Sequence, residues 1–61
     1  MELKVARIRA RLTQIELAAM VGIQRNSLGR YERGERRPSQ ELLERILKAI
    51  QDNGRSTGQE R

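Results

Sequence analysis

Apolar positions in this chain recur at helical spacing. Between Glu2 and Arg11 they fall at Leu3, Val5, Ala6, Ile8, Ala10 and then Leu12, a broad stripe rather than the alternation of a strand. A second set, Leu17, Ala18 and Val21, is spaced i, i+1 and i+4. Leu28 and Tyr31, three apart, mark the inner side of a third element running from about Arg25 to Glu32. Leu42, Leu43, Ile46, Leu47 and Ile50 give a fourth element a wide apolar face that closes the core. The pattern predicts four helices and an all-α fold.

The polar residues punctuate these stripes. Thr13 and Glu16 form a Thr-x-x-Glu capping box that opens the second helix, each side chain satisfying a free backbone N–H of the other. Gly22 stops that helix, and Ile23 and Gln24 leave a connection short enough to make a helix-turn-helix pair. Gly34 stops the third helix, Pro38 forbids an early restart, and Ser39 caps the fourth, with Glu41 in its first turn. Asn53-Gly54 is expected to end it. Beyond lies GRSTGQER, with no apolar residue, so the expected organisation is one domain over 1–53 and a polar tail over 54–61.

Composition narrows the chemistry. Thirteen Lys and Arg against eight Asp and Glu give a net charge of +5, which favours an anionic partner, nucleic acid before a membrane surface. Histidine and cysteine are absent, and with them the commonest general base, a strong nucleophile and the ligands of structural zinc. A chain of this length buries roughly 60% of the surface its unfolded state exposes, leaving little room for a cleft that would tune carboxylates. An enzyme is not expected, nor any metal or cofactor. The lone aromatic, Tyr31, reads as core, and stacking recognition of RNA would need exposed aromatics. No apolar run reaches the ~18 residues of a membrane span and no export leader precedes the domain, so a membrane partner is not expected and the cytoplasm is the default location.

Within the third helix, Arg25, Asn26, Gly29 and Arg30 share the face opposite Leu28 and Tyr31. Gly29 costs ~1 kcal/mol relative to alanine inside a helix. It reads either as tolerated drift or as a place where a side chain would hold the helix away from its partner. Arg7, Arg9 and Arg11 read as a solvated basic face, or as groups reaching phosphate or a carboxylate elsewhere.

The segments Leu-Thr-Gln-x-Glu-Leu-Ala (12 to 18), Val-Gly-Ile (21 to 23), Tyr-Glu-Arg-Gly (31 to 34) and Arg-Pro-Ser (37 to 39) occur together at fixed spacing. In these the chain resembles the helix-turn-helix domains of lambda repressor, Cro and Xre type regulators, from about Leu3 to Ile50. The resemblance implies a small four-helix, lambda-repressor-like domain, with the family's fifth helix absent or vestigial. It implies that the helix beginning at Arg25 is the recognition helix, with Arg25, Asn26 and Arg30 reading bases, and that Gln14 bonds a phosphate. Ala18 and Gly22 would set the geometry of the unit, and Arg7 in the first helix would pair with Glu32.

These readings converge on sequence-specific binding of double-stranded DNA in the major groove, with regulation by operator occupancy. Arginine matches guanine O6 and N7, and asparagine matches adenine N6 and N7. Gln14, Ser27, Arg33, Arg36 and Arg37 are the expected phosphate contacts, and Gly29 a point of close approach. A polar tail where the family continues, and Leu47 where it favours alanine, make a monomer or weak homodimer the expected state on DNA. The competing reading is an antitoxin-like or adaptor module that binds protein through the Leu42–Ile50 face.

Overall fold

A computed structural model describes the backbone of residues 2–59 and the side chains of residues 2–53. Four helices follow one another, α1 Leu3–Arg9, α2 Gln14–Val21, α3 Arg25–Arg33 and α4 Gln40–Gln59, with no strand among the described residues. α2 packs against both α3 and α4, and α1 also touches both, so α2 and α3 sit on a base made of α1 and α4.

Helix boundaries follow from backbone hydrogen bonds that side chains or left-handed turns complete. Thr13 Oγ1 accepts from the Glu16 N–H at 3.0 Å while Glu16 accepts from the Thr13 N–H at 2.9 Å, closing the capping box of α2. Gly22, at φ 86°, turns the chain left-handed, and the Gly22 and Ile23 N–H groups both reach the Ala18 carbonyl. Gly34, at φ 78°, ends α3 in the same way, and Glu35 N–H then bonds the Arg30 carbonyl at 3.0 Å. The Ser39 hydroxyl accepts from Leu42 N–H at 3.1 Å and starts α4.

The core joins all four helices. Leu17, Leu28 and Ile46 are fully buried, with Ala10, Leu12, Ala18 and Val21 around them and Leu3, Ile23, Tyr31, Leu42, Ala49 and Ile50 packed at the edge. Fully burying a side chain of leucine size is worth ~1.5–3 kcal/mol, so these three hold much of the domain's cohesion.

Three sequence expectations need correction. α1 ends at Arg9, because Arg11 takes a left-handed backbone (φ 62°) that its sequence did not announce. Ile8, expected beside the apolar stripe, is 54% exposed: with α1 this short, only Leu3, Ala6, Arg7 and Ala10 lie towards the other helices. α4 does not stop at Asn53-Gly54 but continues to Gln59. One glycine weakens a helix without breaking its i→i−4 bonding. Asn53 also has another use, since its amide donates to the Ala10 carbonyl at 2.7 Å and ties α4 to the end of α1. The side chains of the expected tail, 54–61, lie outside the described residues.

Candidate nucleic-acid interface

Geometry at the helix-turn-helix begins with a polar lock beneath it. Arg7, on α1, points its guanidinium into the base of the pair. Nε donates to Glu32 Oε2 at 2.7 Å, Nη2 to Glu32 Oε1 at 3.4 Å, and Nη1 to the Leu12 carbonyl at 2.8 Å. Gln14 Nε2 adds a fourth bond, to Glu32 Oε1 at 3.0 Å. The Glu32 side chain is only 3% exposed, so it is not a solvated surface acid: it is neutralised by Arg7 and fully engaged. Burying a charge is costly unless it is paired and hydrogen-bonded. Here the pairing fixes α1, α2 and α3 to one another. Among the described residues no buried side-chain polar atom lacks a partner.

Above this lock, Gln14, Arg25, Asn26, Gly29, Arg30 and Arg33 line one shallow depression of about 200 Å³. The start of α2 and the outer face of α3 form it together. Arg25, Asn26 and Arg30 are exposed, while Gly29 is buried beneath its neighbours. A Cβ on Gly29 would stand 3.3 Å from Arg33 Nη1 and 3.8 Å from Gln14 Nε2. The bare glycine is thus a seat for the Gln14 carboxamide and the Arg33 guanidinium. The ends of these two side chains thus lie beside Gly29, the residue expected to allow close approach to a partner, in the same open depression.

Two expected phosphate donors are engaged within the chain. Gln14 gives one N–H to Glu32, leaving the second N–H of its carboxamide available. Arg33 is paired with Glu35, Nε to Oε2 at 2.8 Å and Nη2 to Oε1 at 3.3 Å, both side chains more than half exposed. The hydrogen bonds and charge of Arg33 hold the Glu35 carboxyl below its usual range, with a smaller effect from Arg30, while Glu35 raises the Arg33 guanidinium. Arg36 and Arg37 are exposed but line a separate groove with Leu3, Tyr31, Pro38, Leu43 and Leu47. Ser27 is half-buried on α3 and does not line the depression.

Ala18 is buried at the centre of the core, and Gly22 carries the turn. Sequence reasoning missed Arg45, whose Nη2 donates to the Val21 carbonyl at 2.6 Å and lies 3.7 Å from where a Gly22 Cβ would stand. It closes the C-terminus of α2 from the α4 side, where a cation suits the helix dipole. Nothing in its local sequence separates it from a solvated arginine. Glu35 was also missed, its role visible only once the turn after Gly34 brings it to Arg33. The Leu42–Ile50 face is largely consumed by the core, and Leu43 and Leu47 are the half-buried remainder. No set of His, Cys, Asp or Glu that could hold a metal occurs among the described residues, and none of their helices is long and apolar enough to cross a membrane.

Comparison with known proteins agrees with this geometry. Residues 3–51 match the helix-turn-helix family. Over 35 residues, 57% of its length, the chain is 57% identical to antitoxin PezA of Streptococcus pneumoniae serotype 4, and the match spans 22% of that protein. No solved structure matches. Four helices with a capped α2 leading into α3, and a family match covering all but the ends, place the chain in the helix-turn-helix family of DNA-binding domains, of the Cro, C1 and Xre type.

Proposed function

We propose that this domain binds double-stranded DNA sequence-specifically, with α3 in the major groove, and represses transcription in the cytoplasm by occupying an operator. The observation that supports this most is the convergence of Gln14, Arg25, Asn26, Arg30 and Arg33 on one exposed, polar depression. In this reading Arg25 and Arg30 take guanine and Asn26 takes adenine, each good bidentate pair worth ~1–3 kcal/mol of discrimination. Gln14, Ser27, Arg33, Arg36 and Arg37 hold phosphates and set the register. Glu32 orients Gln14, leaving one amide N–H for the backbone. The domain acts as a monomer or weak homodimer. Selection from a random duplex library tests the reading: wild type returns a motif, and Arg30→Ala loses preference at one base pair. An unchanged motif with Arg30→Ala would remove Arg30 from the reading set.

A second reading is favoured by the likeness to a protein named an antitoxin. In it, the half-buried Leu43 and Leu47 beside Leu3 and Tyr31 seat a protein partner. Tight association without duplex DNA, insensitive to Arg25→Ala and Arg30→Ala but lost with Leu47→Glu, would favour this reading in sedimentation experiments.

A further inference from the structure

Glu35 stands beside a basic face and contributes little to the fold. It is exposed, and its partner Arg33 is only two residues away, so the ion pair links no distant elements. Exposed pairs of this kind add little to folding. Its position is nonetheless fixed, because the left-handed turn at Gly34 anchors the Glu35 N–H on the Arg30 carbonyl. Both carboxylate oxygens bond the Nε and Nη2 edge of Arg33, and Nη1 lies over Gly29. One of the two edges by which Arg33 could grip a phosphate bidentately, the Nε and Nη2 side, is therefore already occupied by a carboxylate.

We propose that Glu35 is a brake on phosphate binding: it holds the Arg33 fork, and so sets how tightly any duplex is bound while leaving sequence preference to Arg25, Asn26 and Arg30. The inference rests on the DNA-binding reading and deepens it. A phosphate approaching Arg33 must displace the carboxylate or settle for the end-on Nη1 and Nη2 pair that remains, and in either place the nearby carboxylate repels it. Glu32, the acid within α3, exerts no such effect, since Arg7 and Gln14 take up its oxygens inside the protein.

The test is duplex binding by the whole chain as wild type, Glu35→Gln, Arg33→Gln and the double variant, on a selected and a scrambled duplex, across a salt series. Freeing Arg33 adds about one phosphate contact, which steepens the slope of log affinity against log salt by about 0.9. Glu35→Gln should thus tighten both duplexes by the same factor, with a gain about three- to fourfold larger at about 50 mM than at about 200 mM salt. In the Arg33→Gln background the gain should mostly vanish. Unchanged or weaker binding by Glu35→Gln, a changed sequence preference, or a gain that persists without Arg33 would each overturn the brake. Glu35→Ser repeats the measurement should the glutamine variant fail to fold. Wild type that bound neither duplex would overturn the DNA-binding reading itself, and the brake with it; wild-type binding without a gain in Glu35→Gln overturns the brake alone.

Discussion

Gly29 and Arg11 show how a backbone or a missing side chain can be used in opposite ways. Gly29 keeps ordinary helical φ and is buried, and what it supplies is room for the flexible ends of Arg33 and Gln14. Because Arg33 is free to shift by a few tenths of an ångström, Gly29→Ala should recover up to ~1 kcal/mol of helix propensity. Chemical denaturation should show a higher midpoint. Arg11 bears the cost of a left-handed conformation without being glycine, so Arg11→Gly should stabilise by roughly 0.5–1 kcal/mol, read from the same curves. Glu35 makes a pH prediction. Its carboxyl titrates below the ordinary 4.5 when folded, so the pair contributes above that value and is lost as pH falls through the depressed one. A side-chain NMR titration should place its midpoint below 4.5 in wild type and return it towards 4.5 in Arg33→Gln. This affects the pair, not the stability of the domain, since both groups are exposed.

Among elements, the decisive tie is the Arg7–Glu32–Gln14 lock. It crosses three helices, and its members lie 25 and 18 residues apart in sequence. Removing one side of a buried ion pair leaves an uncompensated charge, at a cost of ~3–5 kcal/mol. A domain this small has only ~5 kcal/mol to lose. Arg7→Ala and Glu32→Ala should therefore each leave the chain largely unfolded at 37 °C by circular dichroism. Replacing both at once, Arg7→Met with Glu32→Leu, should restore a cooperative transition, because two apolar groups of similar volume strand no charge. Should the double variant melt no higher than the single ones, the lock would matter for more than neutralisation. α4 plays a matching part: Arg45 closes α2 and Asn53 closes α1, so the longest helix caps the C-termini of two others.

At the scale of the molecule, charge and architecture act together. In the proposed reading, the net charge of +5 draws a polyanion non-specifically and the depression between α2 and α3 gives that attraction a direction. Arg36 and Arg37 sit on the groove beside α4 rather than in the depression, so they should contribute to affinity without reading sequence. Arg37→Ala should weaken all duplexes alike and flatten the salt slope by about one unit. A fluorescence-anisotropy salt series on two unrelated duplexes would measure it, and a loss confined to one duplex would give Arg37 a reading role instead.

The sequence by itself determined the local structure: the capping box at Thr13, the glycine stops at Gly22 and Gly34, the restart at Ser39 and the helical face shared by Arg25, Asn26 and Arg30. Each of these depends on residues within a few positions of one another, where spacing alone decides who meets whom. The motifs also carried the resemblance from which the Arg7–Glu32 pairing was expected, though no local pattern could supply its geometry. Tertiary structure decided what neighbours separated in sequence do to each residue. It excluded Ile8 from the core, spent most of the Leu42–Ile50 face on packing and turned Asn53 from a helix stop into a cap for α1. It also seated Arg33 over Gly29 and handed its fork to Glu35. Helix periodicity fixes which side a residue occupies, but only packing fixes whether that side faces water, a charge or another helix.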